Sequence, residues 1–257
     1  MGALAEHLLH VVPGFVLHVI RAAAFVWFLP GLGQGSDARW LRLVLGLALG
    51  AIFWWIGDRG SPAVHGTGHL LLLGAGEFLV GAAVGFVVQL VGAVLTVAGE
   101  ILAQEMGFTM SQVMDPLTGT STQVVSQLLQ VVGILAMFAL DLHHDFLRAL
   151  AAAFQAVPVG TGFDLAVLHE RHAALVAAAL EAGVRYAMPV LAVMLVLTAM
   201  LAVLSRAVPN INLMEFSFGL RILLALLMAL LLFTEGMPGL AASLQAITGG
   251  AAALFVH

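Results

Sequence analysis

From Leu70 to about Ala103 nothing in the chain stops a helix. At about 1.5 Å per residue, such a run makes a rod of about 50 Å, whereas the apolar core of a bilayer is only about 30 Å thick. A second run, from about His172 to Leu204, is also too long for an upright crossing. Pro189 lies inside it and is expected to kink it, because proline removes a backbone hydrogen bond and clashes with the preceding turn. Whatever this chain folds into must accommodate both rods. Composition then fixes the solvent: 62% of the residues are hydrophobic and 9% charged, against about half and a quarter in a soluble domain. So few polar residues cannot cover so much apolar surface, and the surroundings must be lipid or other protein.

The remaining segments are shorter. The first covers roughly Leu8 to Leu29 and holds Arg21; the second runs from about Ala38 to Ile56, with Arg39 and Arg42 at its start. A fourth runs from about Ser121 to Leu140 and a sixth from about Leu213 to Thr234, with Glu215 and Arg221 in its first turns. Helical character also returns through Ala149 to Val157. Gly236, Pro238 and Gly239 lead into a short apolar tail. Glycine- and proline-rich breaks separate the segments at 30–37, 58–62, 158–162 and 205–212. No strand-like alternation stands out. The fold class expected is an all-α membrane-derived protein of long, kinked helical hairpins, with about six apolar segments and an irregular Met-rich loop. Nothing basic precedes Arg21, and Glu6 stands where a secretory signal would be positive, so the first segment is expected to be retained. The arginines outside the spans divide too evenly to set an orientation.

Within the third segment Gly81 and Gly85 form a GxxxG pair, and Gly85, Gly92 and Gly99 recur every seven residues. Glycine weakens a helix, so a regular stripe predicts a face where another backbone comes close. Gln123, Ser126, Gln127 and Gln130 fall on one side of the fourth segment. A stripe of amides is costly against lipid and predicts a partner helix or a wet lumen, or a helix end in water. Glu181 and Arg185 stand in the favourable order for a helical ion pair.

The longest break, Met106 to Thr122, is unlike an ordinary connector. Met106, Met110 and Met114 recur every four residues with Phe108 among them, Asp115-Pro116 stops any helix, and Thr118-Gly119-Thr120 forms a polar turn. Unbranched thioethers can close around nothing and then deform around a passing chain; the same softness also suits plain gap-filling against a neighbour.

Catalytic constellations are missing. With no cysteine there is no disulfide framework, thiolate nucleophile or Cys-ligated metal. No G-x-S-x-G surrounds a serine, and no phosphate-binding G-x-x-x-x-G-K-[ST] occurs. A net charge of −5, thinly spread, offers no patch for nucleic acid. Asp141, His143, His144 and Asp145 are possible metal ligands, but adjacent histidines on a helix diverge by about 100°, and the HExxH spacing is absent. Helix capping and interhelical hydrogen bonding suit these residues better. The expectation is no enzyme, no cofactor and no metal.

Four stretches together resemble the FliR family, the R component of the flagellar type III protein-export gate: GEILAQEMGFTMSQVMDPLTGT at 99–120, ALDLHHDFLRALAAAFQAVPVG at 139–160, SRAVPNINLMEFSFGLRILLAL at 205–226 and, more loosely, FLPGLGQGSDARWLRLVLGLAL at 28–49. Their order, their spacing and the chain length make the set specific, with His143, His144, Arg206, Pro209 and Asn212 at motif positions. The chain departs from the family pattern at Asp141, Ala153, Asn210 and Gly219. The 99–115 stretch favours the flagellar over the virulence branch.

The resemblance implies a single-copy gate subunit that helps nucleate a closed complex with P and Q components, beside the B and A components, in the bacterial inner membrane at the flagellar basal body. That complex would be partly lifted toward the periplasmic side and would pass unfolded polypeptides. Residues 1–160 look P-like and 161–257 Q-like, and the loop at 106–122 is similar to the family's pore plug. The competing readings are a secondary transporter or ion channel subunit with an intramembrane polar site, and an intramembrane hydrolase built on the His/Asp cluster. A transporter should show inverted repeats and mid-span charge pairs, whereas here the halves are unlike and the charges mostly lie at breaks.

Overall fold

The computed structural model describes residues 2–29, 36–57, 62, 64, 66–105, 131, 134–207 and 213–255. Among them the chain forms α1 (Gly2–Trp27), α2 (Ser36–Ile56), α3 (Thr67–Glu105), α4 (Leu142–Ala156), α5 (Leu165–Ala207), α6 (Leu213–Glu235) and α7 (Met237–Ala253). Residues 134–139 are helical as well, and no strand occurs among the described residues. The all-α class therefore holds. Three helical stretches, Asp37–Ile56, Thr67–Glu105 and Leu165–Ala207, are long and apolar enough to cross a membrane, and Val11–Trp27 and Phe216–Leu232 are shorter apolar ones. The two overlong rods are continuous, at 39 and 43 residues, and the second remains helical through Pro189.

Two expectations change. The short apolar tail is a 17-residue helix, α7. Pro238 does not break it because it lies in the first turn, where its missing N–H had no partner to lose. Glu181 and Arg185 form no ion pair; both are exposed, and such a pair gains too little to hold two long side chains in one geometry.

The chain packs as two compact units. The first comprises Met1–Val91, Asp141–Val176 and Gln245–His257. Its centre is an antiparallel hairpin of α1 and α2 with a four-residue beat. Phe15 meets Trp54 edge-on at 5.6 Å, and the Arg42 guanidinium lies 5.6 Å from the Trp27 ring. Between these, a Cβ on Gly50 would come within 2.6 Å of the Val19 Cα, and one on Gly46 within 2.8 Å of the Ala23 Cα. In each pair the two residue numbers sum to the same value, the mark of one straight antiparallel register. Glycine at 46 and 50 is what lets the backbones approach.

The start of α3 runs parallel to α1. A Cβ on Gly81 would fall on the Arg21 carbonyl oxygen, and one on Gly85 would lie 2.9 Å from the Phe25 carbonyl oxygen. The GxxxG pair is thus a backbone-contact face, as its spacing predicts. His172 of α5 ties the same stretch of α3, with Nε2 3.0 Å from the Ala83 carbonyl oxygen. Arg171 Nη1 donates to the Leu254 carbonyl at 3.0 Å beyond α7.

The second unit comprises Gly92–Leu140 and Ala177–Leu244. Its core joins Leu102 of α3 to Val190, Met194 and Leu197 of α5 and to Ala225, Ala229 and Leu232 of α6. Hydrogen bonds cross the antiparallel α5–α6 contact. Tyr186 Oη donates to the Leu232 carbonyl at 2.8 Å, and Arg221 Nη2 donates to Thr198 Oγ1 at 3.0 Å.

Candidate functional site

The residues expected to seal a pore, Met106, Phe108, Met110, Met114, Asp115, Pro116 and Thr118, lie outside the described residues, as do Gln123, Ser126, Gln127, Gln130, Pro209 and Asn212. Of the motif residues, Arg206 is exposed in the last turn of α5, where a cation complements the helix C-terminus. His143 and His144 open α4.

At that opening the capping expectation needs correction. Asp141 stands at the N-cap but makes no side-chain cap hydrogen bond. Its backbone is left-handed (φ 56°, ψ 22°), not in the extended region from which a cap side chain reaches forward. Its carbonyl instead accepts the His144 N–H at 3.0 Å. The His143 and His144 rings lie 4.1 Å apart, and one ligand atom from each of Asp141, His143 and His144 falls within 4.8 Å of the others. The three donors are therefore closer than simple helical divergence predicts. Asp141 and His144 are exposed, however, and the positive end of a helix disfavours a cation.

The polar centre of the first unit lies at the other end of α4, and it uses residues that sequence reasoning left apart. Arg21 is completely buried and Glu77 nearly so. Arg21 Nε donates to Glu77 Oε2 at 2.5 Å. Arg21 Nη1 donates to the carbonyls of Val157 at 2.8 Å and Ala153 at 3.3 Å. These carbonyls lie at the C-terminus of α4, where the dipole favours a cation; that of Ala153 also accepts the Val157 N–H at 3.1 Å, and that of Val157 lies past the last helical residue. Arg21 thus caps α4 from another helix. The second carboxylate oxygen, Glu77 Oε1, accepts the Gly160 N–H at 2.8 Å. One ion pair therefore fastens α1, α3, the end of α4 and the turn beyond it.

Aromatic rings close the polar core. The Arg21 guanidinium carbon lies 4.8 Å from the centre of the Phe154 ring. His18, one turn before Arg21, stacks on Phe154 at 5.4 Å, and Phe53 of α2 stacks on it at 4.7 Å. Such contacts favour a cation over a ring face. The turn at Pro158–Thr161 completes the arrangement: the Thr161 N–H donates to the Pro158 carbonyl at 3.1 Å, and Gly160 takes φ +82°. A Cβ there would lie 2.6 Å from the Pro62 ring. Gly160→Ala should therefore lose about 1–3 kcal/mol, read as a lowered thermal midpoint in detergent. Gly162→Ala, with nothing within 4 Å of the added Cβ, should stay within about 0.5 kcal/mol of the parent.

One signal could have exposed this pair. Arg21 and Glu77 each lie within or beside an apolar segment without an opposite charge nearby in sequence, and an ion in such a place needs a partner from elsewhere. Chemically the arrangement holds helices together. Four of its members, Ala153, Phe154, Val157 and Gly160, belong to the 139–160 stretch.

That stretch also falls within the match to known proteins. The family described as "Bacterial export proteins, family 1" matches residues 12–247. The chain belongs to this FliR family of export proteins. It is 29% identical over 224 residues to the flagellar biosynthetic protein FliR of Caulobacter vibrioides, covering 80% of this chain and 82% of that one. It is 26% identical over 220 residues to the FliR of Bacillus subtilis, covering 84% of each, and 26% identical over 206 residues to that of Escherichia coli K12, covering 79% and 77%. The FliR family is a structural component of the flagellar export apparatus, and membership with several membrane-length helices places the chain in the inner membrane as part of that apparatus.

Proposed function

We propose that this FliR-family chain is a non-catalytic gate subunit that helps nucleate the export-gate complex and closes its pore with the loop at 106–122. The carrying observation is the family match, whose bounds, residues 12–247, enclose that loop; the 99–120 stretch within it holds the Met spacing of 106, 110 and 114. Residues 1–160 would take the place of a P-like part and 161–257 that of a Q-like hairpin. The partners are P and Q components, with the B and A components adjacent and unfolded polypeptides as cargo. Rods of 39 and 43 residues, about 58 and 64 Å long, support a complex partly lifted toward the periplasmic side. Exposed apolar side chains of the second unit, including Leu195, Met200 and Val203 on α5 and Leu223 and Leu230 on α6, are left uncovered by the chain and leave room there for partner helices.

The plug reading is tested by deleting Met110–Pro116. The expected outcome is a complex that co-purifies with its partners in parental yield while the membrane becomes permeable to ions and small molecules. An assembled deletion variant that stays tight would remove the plug from the mechanism, and a lone chain with parental activity would remove the gate assignment.

A further inference from the structure

All four tryptophans of the chain gather at the two ends of the α1–α2 hairpin. Trp40 begins α2, with Trp27 from the end of α1 against Arg42; Trp54 and Trp55 finish α2, with Phe15 against Trp54. Trp40 is 70% and Trp55 66% exposed, and between them Leu43, Val44, Leu47 and Ile52 are exposed too. A neighbouring side of the helix carries Gly46 and Gly50 against α1, and the apolar face is the one its own unit leaves uncovered.

Fifteen residues separate Trp40 from Trp55, a rise of about 22 Å and a rotation that returns both to one side. A bilayer core of about 30 Å leaves about 4 Å at each end, within reach of an indole side chain. Tryptophan at both levels with aliphatic residues between is the pattern of a helix whose rings lie at the two lipid–water boundaries. Charge marks one end. Arg39 is exposed beside Trp40, and Arg42 is half-buried a turn later; with Asp37 the Trp40 end carries a net positive charge, suited to anionic phosphodiesters. Past the other end, Asp58 and Arg59 follow Gly57 in the sequence and offset each other.

We infer that the outer face of α2 is the surface by which this subunit contacts membrane lipid, with Arg39 at the level of anionic headgroups. The inference stands whether or not the 106–122 loop is a plug, because it uses neither the loop nor the pore.

The native chain has no cysteine, so single cysteines can be placed without a background. Val44→Cys, Leu47→Cys and Ile52→Cys, spin-labelled in the complex reconstituted into bilayers, should collide more with oxygen than with a water-soluble nickel chelate. Asp37→Cys should show the reverse. Nickel access at the three central positions would mean a wet face, and access by neither would mean a protein partner; either result overturns the inference.

A second measurement needs no label. Vesicles of brominated phosphatidylglycerol should quench the tryptophan emission more than brominated phosphatidylcholine, and Arg39→Gln should lower that preference about fivefold. Equal quenching by the two lipids in the parent would overturn the headgroup assignment.

Discussion

Glu77→Gln should lower the stability of the purified protein by about 3–5 kcal/mol, seen as a large drop in the thermal midpoint and in the yield of assembled complex. The amide keeps nearly the shape of the carboxylate and can still accept the Gly160 N–H, so packing does not explain the loss. What disappears is the counter-charge of a completely buried guanidinium. Arg21→Met should cost a comparable amount, leaving a buried carboxylate and the Val157 carbonyl without its donor. The double replacement Arg21→Met with Glu77→Leu decides what the pair is for. Apolar residues of similar volume are often as stable as a buried pair or more so, so the double variant should recover much of the loss. If the pair acts in register as well as stability, the recovered protein will still assemble poorly or export poorly. A double variant as unstable as the sum of the singles would show that the two side chains are not coupled.

Gly81→Ala should cost about 1–3 kcal/mol or more, although alanine is ordinarily the better helix former by about 1 kcal/mol. The added Cβ would meet backbone, the carbonyl oxygen of Arg21, and backbone cannot turn aside as a side chain can. The disturbance also falls on the residue that carries the ion pair, so the effects of Gly81→Ala and Arg21→Met should not add. Gly76→Ala is the control. It lies five residues earlier on the same helix with nothing within 4 Å of the new Cβ, and it should be neutral or stabilising by about 0.5–1 kcal/mol. Equal effects at 76 and 81 in thermal unfolding would refute the close approach of α1 and α3.

The helices were legible because their signals are local. Unbroken apolar runs gave α3 and α5, and glycine and proline clusters gave the breaks. The GxxxG at 81 and 85 announced a backbone contact, though only the fold names Arg21 and Phe25 as the contact. Helix α7 was missed because Pro238 reads as a breaker unless the first turn is recognised around it. The ion pair was missed for another reason: Arg21 and Glu77 are 56 residues apart, and Glu77 and Gly160 are 83 apart. No periodicity connects such positions, and only the packing of several helices brings them together. At Asp141 the residue type suggested a side-chain cap, but a left-handed backbone overrode it. The polar stripe from Gln123 to Gln130 and the Met loop lie outside the described residues, and their roles rest on the motifs and the family match.

The ion pair also bears on how the chain is made. Ribosomes release α1 well before α3, so Arg21 reaches the membrane while Glu77 is still unsynthesised. An arginine deep in a lone apolar helix disfavours its insertion by about 2.5–3.5 kcal/mol. Helix α1 is therefore a poor solitary span, and its commitment to the bilayer should wait for the emergence of α3. The order of synthesis ties the insertion of α1 to that of α3, whereas α2 is apolar enough to insert alone. A single cysteine placed in α1 should be open to a water-soluble thiol reagent in a nascent chain arrested before residue 77, and protected in one arrested after α3.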